Sequence, residues 1–167
     1  MTTPDVRLVP KTTEQTAAWL PVAMTAYRQA RQRAGENAEQ AAEASRMSES
    51  QFFPEGRLID GHFLFTVEAD GEDAGWLWLG PMKDVSTWYV WDVAVHEAFR
   101  GRGIGRATMA LAEEFARSQG ATMMQLNVFA YNEPAIGLYG SMGYTVTSMH
   151  MQKPLERLGS GTGTPHG

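Results

Sequence analysis

One stretch of the chain, residues 86–120, places a strand, a turn rich in glycine and arginine, and a helix in immediate succession. Hydrophobic residues alternate along 86–95, which indicates a strand. Apolar and small residues then recur at helical spacing, at Ile104, Thr108, Leu111, Ala112 and Phe115. A strand that turns directly into an amphipathic helix favours an α/β architecture, in which helices cover a sheet.

The rest of the chain extends this pattern on both sides. Hydrophobic patterning predicts further strands at 6–9, 62–69, 74–82, 122–130 and 144–153. Helices are predicted from Thr12 or Thr13 onward, at 37–52 and at 133–142, with Pro21 as a kink or a delayed start in the first. The order is two helices, an antiparallel meander and then β-α-β-α-β, which predicts an α/β sandwich on a mixed sheet.

Strict alternation along 86–95 also assigns side chains to the two faces of that strand. The two predicted sets are Tyr89, Trp91, Val93 and Val95 on one face, and Trp88, Val90, Asp92 and Ala94 on the other.

Composition excludes several classes of protein. The chain has 167 residues, which suits one domain, predicted at 1–158, with a Gly/Thr-rich flexible tail at 159–167. It contains no cysteine, so disulfides and a cysteine nucleophile are excluded. The net charge of -5 argues against nucleic-acid binding. Neither a membrane-spanning run nor a signal peptide is recognisable, so the expected location is the cytoplasm without membrane association. The scattered histidines predict no metal site.

The turn at Arg100–Arg106 has the properties of an anion-binding site. Its glycines allow positive φ and close approach of the backbone to a ligand. The helix N-terminus offers free N–H groups, and the arginines add charge and bidentate donors. A P-loop is excluded because the lysine is absent, and a dinucleotide fingerprint fails because Arg106 and Thr108 replace the required glycines. The alternative that remains is an ordinary glycine-rich turn before a basic helix.

Two motifs together resemble the GNAT superfamily of N-acetyltransferases, which use acetyl-CoA. The first is Val93-Ala94-Val95 followed by Arg100-x-x-Gly103-x-Gly105, which matches the family's acetyl-CoA signature. The second matches the family's downstream pattern through Asn132, Ala135, Leu138, Tyr139, Gly143 and Tyr144. The resemblance spans about 86–153, and it implies a GNAT-like mixed, mostly antiparallel sheet of six or seven strands with helices on both faces.

The resemblance assigns the cofactor site residue by residue. It implies that the strand before the turn parts from the next parallel strand, and that the pantetheine arm pairs with the backbone of Val93, Ala94 and Val95. The pyrophosphate is expected on the turn, formed by Arg100, Gly101, Arg102, Gly103, Ile104, Gly105 and Arg106. Asn132 matches a position that often binds the cofactor, and its other reading is a helix N-cap.

Tyr139 matches the family's general acid, which protonates the leaving thiolate. The base is less clear, because some relatives use a glutamate at the position of Asn127, and asparagine cannot accept the proton. Asp92 is the candidate base, since it is the one acid within 86–95 and burial can raise its pKa. Its alternative role is a structural hydrogen-bond acceptor, and Glu68 on the neighbouring meander is the weaker candidate.

Three functions are compatible with these residues. The first is direct transfer of an acetyl group from acetyl-CoA to a primary amine of a small molecule or peptide, by a monomer or homodimer. The second is a non-catalytic acyl-CoA-binding or protein-interaction module, and the third is transfer of a larger acyl group. The acceptor is not identifiable from the sequence, and the aromatic residues at 52–88 are expected mostly to pack in the core, with some lining an acceptor pocket.

Overall fold

The computed structural model describes residues 2–159, which form a single sheet with helices on both faces. The strands are β1 (Val6–Pro10), β2 (Phe63–Ala69), β3 (Glu72–Pro81), β4 (Thr87–Val95) and β5 (Met123–Leu126). The helices are α1 (Thr13–Arg33), α2 (Ala38–Phe52), α3 (Ile104–Ser118) and α4 (Glu133–Ser141). Short 3-10 turns lie at Pro54–Gly56 and Glu97–Phe99.

The sheet has five strands in the order β1-β2-β3-β4-β5. The first four strands pair antiparallel, and β5 pairs parallel to β4 through the α3 crossover. The α/β fold class and the mixed, mostly antiparallel sheet are therefore confirmed. The predicted count of six or seven strands is wrong for the residues described.

The missing strand is the one predicted at 144–153, where the chain has no regular secondary structure. The apolar side chains there, Val146, Met149 and Met151, do not keep a strict period of two, so they cannot form one continuous buried face. All three are largely exposed. The strand predicted at 122–130 is also shorter than expected and ends at Leu126.

The first two helices begin where side chains cap them. The Thr12 side chain accepts a hydrogen bond from the Gln15 N–H, and the Gln15 side chain accepts one from the Thr12 N–H. Asn37 and Gln40 form the same reciprocal pair at the start of α2. Helix α1 runs continuously through Pro21, so this residue does not delay its start.

A β-bulge changes the faces of β4. Trp78 of β3 pairs with Asp92, whereas the next residue, Leu79, pairs with Val90, so Trp91 is the extra residue. The bulge turns Trp91 and Asp92 toward the same face. The predicted alternation is therefore wrong beyond Val90.

Each face of the sheet carries its own core. Against α3 pack Trp88 and Val90 from one side of the bulge and Val93 and Val95 from the other. Helices α1 and α2 cover an aromatic cluster on the opposite face that contains Trp19, Phe52, Phe53, Trp76, Trp78 and Trp91. Most of the aromatic residues singled out in the sequence are thus packing residues. Phe63 and Phe65 belong to the α3 face.

Two further expectations from the sequence concern the C-terminal tail and membrane-spanning segments. The tail predicted at 159–167 lies, apart from Gly159, outside the described residues. Within 2–159, no helix is long and apolar enough to cross a membrane.

Candidate active site

Strands β4 and β5 part from each other halfway along β4. Their parallel pairing runs from Thr87–Met123 to Val90–Leu126 and ends there, although β4 continues to Val95. The second half of β4 therefore has no strand partner on that side among residues 2–159. The separation leaves backbone groups available for a ligand that binds in an extended form.

The backbone of Val95 points into this opening. The His96 N–H donates to the Ala74 carbonyl of β3, 2.8 Å away. Since backbone groups of an antiparallel strand alternate in direction, those of Val95 are directed away from β3. The Val95 carbonyl accepts a hydrogen bond from Arg100 Nε at 3.0 Å, so one guanidinium already lies at the mouth of the opening.

The turn after β4 exposes its backbone. Gly101 and Gly103 have φ of 74° and 78°, and a Cβ placed on either would meet nothing within 4 Å. Gly103 is the N-cap of α3, and no side chain caps that helix. The first turn of α3 also contains no acidic residue. Free N–H groups and the positive end of the helix dipole therefore face open space.

The other residues of the turn divide between packing and charge. Ile104 is buried in the core under the turn, and Gly105 packs closely against Leu138 of α4. Arg102 lies 3.7 Å from the Asp70 carboxylate and over the Phe99 ring, and Arg106 donates to Ser141 Oγ at 2.6 Å. Because Arg102 and Arg106 are exposed, these contacts are easily exchanged for a bound anion.

Asp92 lies on the α1–α2 face of the bulge. Trp76 Nε1 donates a hydrogen bond to Asp92 Oδ2 at 2.9 Å, and the Val93 N–H also stabilises the carboxylate. Burial outweighs both contacts and raises the pKa of Asp92 from 3.8 to about 6. A carboxyl with this pKa is ionised about ten to one at pH 7 and can accept a proton.

Tyr139 lies on α4 and packs against the core under α3. Its ring makes an edge contact with Tyr144, with centroids 5.8 Å apart. Burial raises the pKa of the Tyr139 phenol, and the nearby Asp92 carboxylate raises it further. The phenol therefore remains protonated at neutral pH, and the charge of Asp92 is felt at its oxygen.

The remaining candidates have simpler surroundings. Asn132 is the N-cap of α4, since its Oδ1 accepts from the Ala135 N–H at 3.3 Å, which confirms the capping alternative. Asn127 directly follows β5 and is exposed. Glu68 lies on β2 and is separated from β4 by the whole of β3. Among residues 2–159, no group of acidic and histidine side chains is arranged to hold a metal ion.

Sequence reasoning missed Trp76 as the hydrogen-bond donor to Asp92. The two residues lie on neighbouring strands of the predicted meander, and the register between those strands depends on the bulge. A bulge without glycine has no strong sequence signal, so strict alternation put Asp92 on the wrong face.

The chain resembles known proteins in sequence. The model of the acetyltransferase (GNAT) family matches residues 23–144. The uncharacterised N-acetyltransferase YdgE of Bacillus subtilis (strain 168) is 36% identical over 119 residues, which cover 70% of this chain and 76% of that protein. YycN of the same organism is 29% identical over 154 residues, covering 90% and 99% of the two chains.

Solved structures resemble this chain in fold. The crystal structure of the Bacillus subtilis acetyltransferase YycN superposes with a TM-score of 0.83 at 28% identity, over 92% of this chain and 100% of that one. An aminoglycoside N-acetyltransferase in complex with CoA has the same fold, with a TM-score of 0.60 at 12% identity over 93% and 98% of the two chains. The chain therefore belongs to the GNAT family of acetyltransferases, and as an enzyme it is an acyltransferase.

Proposed function

We propose that the protein transfers an acetyl group from acetyl-CoA directly to a primary amine of a small molecule or peptide. The observation that carries this proposal is that Asp92, on the half of β4 that has no partner in β5, lies near enough to Tyr139 of α4 for its charge to act on the phenol. A carboxylate with a raised pKa, Asp92, lies within electrostatic reach of a protonated phenol, Tyr139. Acyl transfer to an amine requires one group that accepts a proton and another that donates one.

The donor would bind along the second half of β4. Its pantetheine arm would pair with the free backbone groups of Val93 and Val95, with Ala94 between them facing the other way. The pyrophosphate would lie on the turn, against the exposed backbone of Gly101 and Gly103 and the N-terminus of α3. The CoA complex of a protein with the same fold supports this choice of donor.

Arg100, Arg102 and Arg106 would then supply the charge. Each now contacts a protein group at or near the turn, namely the Val95 carbonyl, the Asp70 carboxylate and the Ser141 hydroxyl. Movement of Arg100 from the Val95 carbonyl to the pyrophosphate would also free that carbonyl for the pantetheine arm. Asn132, whose side chain caps α4, would add a polar group at the same edge.

From an ammonium substrate the reaction needs three proton transfers, two from the substrate nitrogen and one to the leaving sulfur. A lysine-like amine is neutral only about once in 2,500 molecules at pH 7, so a base must take its proton. In this proposal the Asp92 carboxylate accepts that proton, and the amine nitrogen attacks the thioester carbonyl carbon. As the C–N bond forms and the C–S bond breaks, the sulfur leaves with the electron pair and takes the Tyr139 hydroxyl proton, and the nitrogen gives its second proton to the resulting tyrosinate. The products are an amide and free CoA.

The amine would approach from the α1–α2 face, where Asp92 lies beside aromatic rings. The Trp91 ring lies 4.6 Å from that of Tyr89, and the two rings present an aromatic surface next to the bulge. A protonated amine is attracted to such rings before it reaches the carboxylate. This surface is therefore the proposed wall of the acceptor site.

A panel of primary amines tests the proposal, with thiol release from acetyl-CoA and the mass of the product as readouts. We expect CoA release that depends on an amine, with a product heavier by one acetyl group. Binding of acetyl-CoA without transfer to any amine, peptides included, would instead identify a non-catalytic binding module. A parallel series with propionyl- and succinyl-CoA separates acetyl transfer from transfer of a larger acyl group.

A further inference from the structure

A shallow groove of about 340 Å³ lies between α1 and α2. Its floor is formed by Leu20 and Met24, which belong to the aromatic cluster that packs on the sheet. These two buried side chains separate the groove from the face on which Asp92 lies. The groove is therefore a feature distinct from the proposed active site, and its volume is within the range of small-molecule sites.

A guanidinium without a carboxylate partner forms one end of the groove. Arg28 donates to Ser45 Oγ at 3.2 Å and to Thr25 Oγ1 at 3.0 Å, and it takes part in no ion pair within residues 2–159. Ser45 is 2% exposed, so its hydroxyl fixes the guanidinium from below. Two of the five N–H donors are used in this way, and the others are free for a carboxylate.

An acidic side chain, Glu49, lines the same groove. Glu49 follows Ser45 by four residues on α2, which places the two side chains one helical turn, about 6 Å, apart. Across the described part of the chain, Glu49 also forms no ion pair. Arg28 and Glu49 thus place opposite charges in one groove without forming an ion pair with each other.

A backbone acceptor adds to the negative side. Pro21 lies inside α1 and has no N–H, so the Ala17 carbonyl loses its usual helical partner. Ala17 and Pro21 both line the groove, and both are exposed. A carbonyl without its i+4 N–H partner can accept a hydrogen bond from an ammonium group.

The 3-10 turn that follows α2 also borders the groove, where Gly56 lines it with φ of 76°.

We propose that this groove binds a free α-amino acid with an apolar side chain. The carboxylate would pair with Arg28, the ammonium would lie near Glu49 and the Ala17 carbonyl, and the side chain would cover Leu20 and Met24. Only a zwitterion satisfies both ends at once, because a simple anion or cation leaves one charge of the groove unpaired. This inference does not depend on the proposed acetyl transfer.

Titration of the ¹⁵N-labelled protein with L-leucine, in the absence of acetyl-CoA, tests the proposal by chemical-shift mapping. We expect saturable shifts at the amides of Thr25, Arg28, Ser45 and Glu49. L-Leucinamide lacks the carboxylate and N-acetyl-L-leucine lacks the ammonium, so each should bind at least about tenfold more weakly. Equal binding of either analogue, or no saturable shift at these amides with L-leucine at millimolar concentrations, overturns the proposal.

Two variants and one control sharpen this test. Arg28→Gln and Glu49→Gln should each weaken L-leucine binding by roughly tenfold. Glu49 is exposed, so its variant leaves the fold intact even if loss of the Arg28 contacts does not. Arg46→Gln is the matched control, because it removes a guanidinium of α2 that is paired with Glu43 outside the groove. Unchanged affinity in Glu49→Gln, or an equal loss in Arg46→Gln, contradicts the assignment.

Discussion

The two faces of the sheet differ in the polar groups that they bury. Under α3 the core is apolar, and its one buried polar side chain, Thr108, donates to the Ile104 carbonyl of its own helix. Under α1 and α2 the core contains a carboxylate and several indole N–H groups. Trp76 Nε1 donates to Asp92 and Trp78 Nε1 to His62, while Trp19 Nε1 and Trp91 Nε1 are buried without a partner among residues 2–159.

We infer from this difference that the α3 face mainly stabilises the fold, whereas the α1–α2 face supplies a group for the reaction. A buried donor without a partner costs about 1–3 kcal/mol, and the Asp92 carboxylate adds its own desolvation. The α3 face has no comparable cost and supplies most of the apolar packing. In our account the α1–α2 face keeps these destabilising buried polar groups because one of them, Asp92, is the base that acts at the opening between β4 and β5.

Tyr139 is the polar group that the α3 face contributes to the opening, and its hydroxyl should matter for rate alone. We expect Tyr139→Phe to lower kcat by about 10²–10⁴-fold, because the leaving thiolate loses its proton donor. The dissociation constant of acetyl-CoA should change little. Steady-state kinetics with a calorimetric binding measurement check both.

Tyr144→Phe is the control for this change, since Tyr144 contacts the Tyr139 ring and donates to Glu113 instead. It should retain kcat within a few fold. A similar loss of kcat in both variants would mean that the ring pair, and not the Tyr139 proton, supports turnover.

The apolar face should respond in the opposite way. Met109 is 1% exposed in the middle of α3, so Met109→Ala should lower the free energy of unfolding by about 2–5 kcal/mol. The kinetic constants of the molecules that remain folded should be close to those of the unchanged protein. Urea unfolding and initial rates at low temperature test this, and a large change in KM would show that the faces are not separable.

Asp92→Asn should lower activity and raise stability together. Because burial raises the pKa of Asp92 from 3.8 to about 6, the folded protein binds more protons than the unfolded chain between those values. Stability therefore falls as pH rises from 4 to 6, and the loss is complete above that range. The variant lacks this loss, so its gain should reach about 3 kcal/mol at pH 8 and roughly half of that at pH 5. Thermal unfolding at the two pH values measures it, and an equal effect at both contradicts burial as the cause.

Gly103→Ala should produce the smallest effect, on donor binding alone. The φ of 78° strains any other residue, and an added methyl group would project into the open space in which the pyrophosphate is proposed to lie. We expect acetyl-CoA to bind roughly tenfold more weakly, with kcat little changed at saturation. Gly120→Ala introduces comparable strain at φ of 95° beyond the other end of α3, and should leave donor affinity unchanged.

Much of the fold followed from local patterns, and the errors share one cause. The helices, the start of the first at Thr12 or Thr13, and the turn into α3 depend on neighbouring residues, which the sequence displays directly. The bulge at Trp91 and the irregular course of 144–153 depend on pairing between distant segments. No short-range pattern specifies such pairing. The predicted face of Asp92 and the predicted number of strands were therefore wrong.

The candidate site was predictable to a similar extent. The turn, Tyr139 and Asp92 were identified from residue type and motif, whereas the partner of Asp92, Trp76, required the strand register. The groove at Arg28 was not foreseen, since it depends on how α1 and α2 pack against each other.

The pH dependence of kcat/KM for a primary amine tests the account most directly. In the proposed mechanism the substrate binds as the ammonium ion and Asp92 takes its proton, so only Asp92 must be ionised beforehand, and log kcat/KM should rise with a slope of about one below pH 6 and level off above it. In Asp92→Asn the slope should be about one throughout. A break near pH 6 that persists in the variant would contradict the assignment of Asp92 as the base.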